Sequence, residues 1–228
     1  MIIYDTHHNI SLPNIAIFDW DNTLVDAWEP IHYAIQATLR KFNKPTWPLS
    51  ETKIRIHRSI RDTIPKYFPE YSIEEVAEAY RTAYKDVQHQ ITPLDNALKT
   101  VELLRTNNVY VAIVSNKQNS ILNKEIDDLG WRKFFGVIIG SGDLEQDKPS
   151  KITVDEVLKH KSSPVDKIWF IGDSPTDMET AYNSGCLPVL FGNEEYNKSL
   201  YAHCKPKLHC HDHQKLLDYL MFMLNNKS

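Results

Sequence analysis

The chain has 228 residues, of which 42% are hydrophobic and 25% charged, with a formal net charge of −4. That composition supplies core for one or two domains, and the negative balance argues against a general nucleic-acid binder. No apolar run approaches the roughly 18 residues of a membrane span. The opening "MIIYDTHHNI" lacks the basic-then-apolar order of a secretory leader, and three cysteines (Cys186, Cys204, Cys210) are too few and too odd for a disulfide framework, so a cytoplasmic location is expected.

In chain order, "NIAIFDWDNTLVD" (14–26) comes first. Ile15, Ala16, Ile17 and Phe18 are a short continuous apolar run, the pattern of a strand covered on both faces. Asp19 and Asp21 follow at once. From Ala27 to about Gln90 only helical patterns occur, with Pro-containing breaks around 45–48 and 65–69, and "SIEE" (72–75) reads as a capping box. An all-helical insert over 27–91 is expected, with "TPLD" (92–95) returning the chain to a core built from 1–26 and 92–228. Beyond it, helical patterns (97–105, 120–129, 153–160, 177–184) alternate with apolar strands (109–115, 135–142, 167–173, 186–192), and Gly130 and Gly185 stand where C′ glycines end helices. This alternation predicts an α/β fold, a Rossmann-like, doubly wound parallel sheet.

Ligands of such sheets bind beyond the carboxyl ends of the strands. The first strand ends in Asp19 and Asp21, the second in Ser115, Asn116 and Lys117, and the fourth in Asp173 and Asp177; Lys148 follows the third. Each has a bland reading when taken singly. An aspartate after a strand is usually a turn former or N-cap, Asp177 a first-turn acid favoured by the helix dipole, and Lys148 a solvated loop residue. Together they pose a problem, because like charges 4 Å apart repel by about 1 kcal/mol in water and about 4 at an effective dielectric of 20. A hard divalent cation among them resolves it, and oxygen-only ligands favour Mg²⁺ over zinc. The cation would draw in a substrate phosphate, met by Ser115, Asn116 and the N–H groups of a following helix.

These residues form four ordered motifs that resemble those of the haloacid dehalogenase superfamily: "DWDNT" (19–23), "SNK" (115–117), "KPS" (148–150) and "GDSPTD" (172–177). The likeness spans about residues 14–192, the helical insert corresponds to that family's C1 cap, and within the family the phosphoglycolate phosphatases are most similar. The resemblance implies a Mg²⁺-dependent phosphatase of small phosphorylated metabolites, monomer or homodimer, working through an aspartyl-phosphate. Asp19 would be the nucleophile, Asp21 the acid and base, and Thr23 a prop for the first motif. Ser115, Asn116 and Lys148 would hold the phosphoryl group. Mg²⁺ would sit on Asp19, the Asp21 carbonyl and Asp173, with Asp177 near or in its shell. The same set would also serve another phosphomonoesterase, a pyrophosphatase, a sugar-phosphate mutase, or a phospho-ligand-binding regulatory protein. An acid/base at position 21 speaks against a true dehalogenase.

This chain departs from the family pattern at Asn22, which replaces a usual Gly and tolerates a left-handed backbone. It also departs at Trp20, expected to point away from the metal, and at Ala27. Lys53, Arg55, His57, Arg58 and Arg61 make the insert locally basic. A solvated helical face explains this as well as ligand binding does, but Arg55, Arg58 or Arg61 is a candidate for binding a substrate carboxylate. The tail "HCKPKLHCHDH" (203–213) has no standard zinc-finger spacing and reads as surface, while "KLLDYLMFML" (215–224) suits a final helix.

Overall fold

The computed structural model describes residues 2–3, 10–56, 60–192 and 199–226. Its strands and helices follow in order as β1 (Ile2–Ile3), β2 (Ile15–Phe18), β3 (Val25–Asp26), α1 (Trp28–Lys41), α2 (Leu49–Arg55), α3 (Ile60–Tyr67), α4 (Ile73–Val87), β4 (Thr92–Pro93), α5 (Ala97–Thr106), β5 (Tyr110–Gln118), α6 (Asn119–Asp128), β6 (Val137–Ser141), α7 (Ile152–His160), β7 (Ile168–Gly172), α8 (Pro175–Ser184), β8 (Leu187–Phe191), β9 (Leu208–Cys210) and α9 (His213–Asn225). Among the described residues no helix is long and apolar enough to cross a membrane.

Six strands run parallel in the order β9-β8-β7-β2-β5-β6, and β1 adds antiparallel to β9. The sheet is the parallel α/β sheet that the alternating pattern predicts. β2 lies at its centre and is apolar throughout because neighbours and helices cover it on all sides: Ile15, Ala16, Ile17 and Phe18 have no exposed surface. Phe18 stands in register with Ile113 of β5 and Ile171 of β7. The chain builds outward from β2 to β5 and β6, then crosses to β7, β8 and β9 on the other side. β2 is therefore the point where strand order reverses, and crevices open there at the carboxyl ends.

The helices begin and end on local chemistry. Ser174 caps α8 in a reciprocal box with Asp177, Pro175 occupies the first turn, and Gly185 closes it with φ 72°. Ser72 accepts the Glu75 N–H to open α4, and Asp212 accepts that of Lys215 to open α9. β5 runs to Gln118, beyond the Ser115 end expected, so the second motif is extended backbone rather than a loop. β9, only three residues long and centred on His209, was not among the apolar runs.

The chain divides into two compact units, residues 1–25 with 93–228 and residues 26–92. The second is all-helical apart from the residues it gives to β3 and β4. Its core joins Ile35 and Leu39 of α1 to Ile64 of α3 and Val76 and Tyr84 of α4. Gln36 grips the Trp47 main chain at both ends of its amide, Oε1 accepting the N–H at 3.2 Å and Nε2 donating to the carbonyl.

Candidate active site

The carboxyl ends of β7, β2 and β5, three adjacent strands, carry the first, second and fourth motifs. The Asp19 N–H donates to the Ile171 carbonyl at 2.9 Å, extending the ladder one residue past β2. The chain then turns tightly, with the Leu24 and Val25 N–H groups both on the Trp20 carbonyl. Asn22 takes a left-handed φ of 59°, as the Gly-to-Asn departure requires. Gly172, at the end of β7, has no room for a side chain, because a Cβ there would lie 2.3 Å from Cγ of Asp177.

Asp19, Asp173 and Asp177 offer carboxylate oxygens that all lie within 4.8 Å of one another. Buried Lys148 reaches into the group, with Nζ 2.7 Å from Oδ1 of Asp19 and 2.7 Å from Oδ1 of Asp177. Burial pushes the Asp19 carboxyl up to about 6, helped by Asp177 and Asp21 and opposed by Lys148. Burial also holds the Asp173 carboxyl well above the ordinary range, reinforced by Asp177 and Asp19. Burial works against the Lys148 ammonium, but Asp177 and Asp19 outweigh it and raise its pKa. When all are ionised, three carboxylates against one ammonium leave an excess of two negative charges, which a divalent cation would balance. The donors are oxygens, as a hard cation requires. Asp177 is already engaged, since its Oδ2 accepts the Ser174 N–H (3.0 Å) and O–H (2.6 Å) while Oδ1 holds Lys148. Asp19 and Asp173 therefore have the more open oxygens.

Asp21 stands apart from that group. Its Oδ1 accepts from Lys117 Nζ at 2.6 Å, the same ammonium lies 2.6 Å from Oε2 of Glu125, and that oxygen accepts the Trp20 indole N–H at 2.8 Å. Trp20 is wholly buried, its ring edge-on to Trp131. Ser115 is buried, with its Oγ accepting the Lys117 N–H. Asn116 is not simply aimed at a ligand. Its Oδ1 accepts the Lys148 N–H at 2.9 Å and its Nδ2 donates to the Lys148 carbonyl at 3.1 Å, clamping the loop that carries that lysine.

Two residues with no sequence signal complete the surroundings. Glu125 is 1% exposed although it sits in the polar run "NKEIDD". His213, at the start of α9, donates Nε2–H to the Thr23 carbonyl at 2.7 Å, which makes Nδ1 the acceptor for the Thr100 hydroxyl at 3.1 Å. It ties the C-terminal helix to the first motif at Thr23, whose buried hydroxyl has no hydrogen-bond partner among the described residues.

Burial depresses the His213 pKa to about 4. The imidazole protonates below its unfolded value of 6.5 in the unfolded chain but stays neutral in the fold. Stability is therefore lost as pH falls from 6.5 towards 4, on the order of 3 kcal/mol in full. Urea unfolding across that window is expected to show a shallower pH slope in His213→Gln than in the native chain; equal slopes would deny His213 this part.

Of the remaining tail groups, Cys204, His209 and Cys210 are buried, whereas His203 is exposed and His211 half-buried. His209 pairs with the Gly192 carbonyl at 2.8 Å, and burial pushes the Cys210 thiol up to about 12. Among the described residues the tail forms no metal-binding group. In the helical unit, the Arg55 guanidinium packs over Trp47 and Tyr67, 4.8 and 5.2 Å from the ring centroids, and pairs with Glu51. Arg58 lies outside the described residues, as do His57 and the Arg61 side chain.

A phosphoglycolate phosphatase of Pseudomonas fluorescens is 28% identical over 193 residues, covering 79% of this chain and 71% of that protein. One from Aquifex aeolicus is 28% identical over 178 residues, covering 77% and 83%. The crystal structure of a hydrolase from Pseudomonas syringae superposes with a TM-score of 0.79 at 22% identity, over 91% of this chain and 98% of that one. The model of haloacid dehalogenase-like hydrolases matches residues 16–190. With three-quarters of its length matched and its carboxylates gathered at the strand ends, the chain belongs to the haloacid dehalogenase-like hydrolase family.

Proposed function

We propose that the chain is a Mg²⁺-dependent phosphatase of small phosphate monoesters, with phosphoglycolate its favoured substrate. The observation that carries this reading is the group of Asp19, Asp173 and Asp177 with buried Lys148 on Asp19 and Asp177, while Asp21, two residues after Asp19, is held apart by Lys117. The named relatives support the choice of ester.

Asp19 and Asp173 would hold Mg²⁺ with the Asp21 carbonyl, and Asp177 would support the site through Lys148 and Ser174. Bound there, the ion supplies charge neutralisation for an incoming phosphate. Asp19 attacks phosphorus through a carboxylate oxygen, and the bond to the alcohol breaks as Asp21 delivers a proton to the leaving oxygen. Asp21, now ionised, takes a proton from water as that water displaces Asp19 from phosphorus. Lys148 keeps Asp19 ionised and ready, while Ser115 steadies the transferring group. The helical unit, residues 26–92, acts as the cap, and Arg55, whose guanidinium packs on Trp47 and Tyr67, is the residue for the substrate carboxylate.

The test is a panel of initial rates with Mg²⁺ over phosphoglycolate, nucleotides, hexose phosphates and pyrophosphate. The expected result is the highest kcat/KM for phosphoglycolate, with inorganic phosphate as product. Transfer of phosphate to a sugar instead of water, or no turnover of any ester, would overturn it. Arg55→Ala should raise KM for phosphoglycolate about tenfold with little change in kcat. An unchanged KM would leave Arg55 a structural member of the helical unit.

A further inference from the structure

We propose that Lys117 is a positioning residue for the acid and base of the reaction: anchored by Glu125 and Trp20, it fixes Asp21 by one oxygen so that the other faces the leaving group. The inference rests on the phosphatase reading above and concerns residues to which that reading gives no task.

The geometry is a single buried relay. Trp20 Nε1 donates to Glu125 Oε2 at 2.8 Å, Lys117 Nζ lies 2.6 Å from that same oxygen, and it also lies 2.6 Å from Asp21 Oδ1. The Lys117 and Glu125 side chains are 5% and 1% exposed, whereas Asp21 keeps 18%. Of the relay's charged members, Asp21 is the most exposed. The relay's parts come from three places: the strand-end turn, the end of β5 and the middle of α6. None of them can shift without disturbing the others, because Trp20 also packs against Trp131.

A carboxylate at a strand end would otherwise swing about its side-chain torsions, and a proton donor is effective only within hydrogen-bond reach of the group it protonates. The ammonium on Oδ1 removes that freedom and leaves Oδ2 to carry the moving proton. In the first step that proton passes from Oδ2 to the departing alkoxide as the Asp19–phosphorus bond forms. In the second it returns from water to Oδ2 as the Asp19–phosphorus bond breaks. Lys117 gains and loses nothing in either step. A buried glutamate is a costly way to hold a lysine unless the lysine's place matters, since an ion pair this deep contributes little net stability.

The test separates positioning from mere folding. Lys117→Met alone strands Glu125 without its cation, so the decisive variant is Lys117→Met with Glu125→Gln, which removes both charges and leaves Trp20 an amide oxygen to meet. Pre-steady-state rates would be followed with 2,4-dinitrophenyl phosphate, whose leaving group needs no proton, and with an alkyl phosphate, whose leaving group does. The double variant is expected to release dinitrophenolate in a burst of native rate and amplitude, while alkyl ester turnover falls about 100-fold. Lys117→Arg should recover part of the alkyl activity. Asp21→Asn serves as the reference. If it shows this leaving-group split and the double variant does not, the positioning role is wrong and the phosphatase reading stands. If Asp21→Asn shows no split either, the assignment of Asp21 fails with it. Equal losses on both esters in the double variant would also reject the proposal, since a general structural defect does not distinguish leaving groups.

Discussion

Asp19→Asn is expected to lower phosphate ester hydrolysis by about 10⁴-fold or more without unfolding the protein. The amide keeps the shape of the carboxylate but has no anionic oxygen to attack phosphorus. Its effect on the fold is small for an electrostatic reason. Asp19 is buried beside Asp173 and Asp177, and burial with those neighbours already pushes its carboxyl up to about 6. Removing its charge relieves that repulsion, while Lys148 keeps Asp177 at 2.7 Å. Thermal unfolding in EDTA should therefore give a Tm equal to or above that of the native chain. A variant that is inactive because it has unfolded, or one that still turns over substrate, would count against the assignment.

Lys148→Met should have the opposite profile, with a large loss of stability as well as of activity. Lys148 is the one cation that the structure places within ion-pair distance of Asp19 and Asp177 among the described residues. Taking it away leaves buried carboxylates uncompensated, a change that destabilises by about 3–5 kcal/mol. Urea unfolding without Mg²⁺ should show this as a lower midpoint at an unchanged m-value. Adding Asp177→Asn in the same chain should recover part of the loss, because the two sites share one interaction and their effects do not add. If the double variant is as unstable as the sum of its parts, the charge argument fails and lost packing of the lysine stem is the better explanation.

The sheet and the strand-end residues were legible because a parallel α/β sheet forces one outcome. Strands buried on both faces must be apolar runs, and everything that follows them emerges on one edge. Asp19, Ser115, Lys148, Asp173 and Asp177 could be placed together from chain order alone. The residues that support them could not. Glu125 sits in a polar helical stretch where nothing local distinguishes a buried acid from a solvated one, and only the Trp20 and Lys117 contacts reveal it. His213 lay in a His- and Cys-rich tail that reads as surface, yet it is buried, and its partners are a backbone carbonyl 190 residues away and the Thr100 hydroxyl. Asn116 shows the same limit. Its place at the strand end was evident, but the use of its amide on the Lys148 main chain depends on a loop far along the sequence. Long-range side-chain pairing of this kind leaves no periodic trace.

The most direct test is to trap the phosphorylated protein. Native chain mixed with phosphoglycolate and Mg²⁺, quenched in acid within one turnover and digested, should yield the peptide containing Asp19 heavier by one phosphoryl group, and the same experiment in EDTA should yield none. Steady release of phosphate with no such peptide, or the phosphoryl group on any other residue, would contradict attack by Asp19 in a metal-balanced carboxylate site.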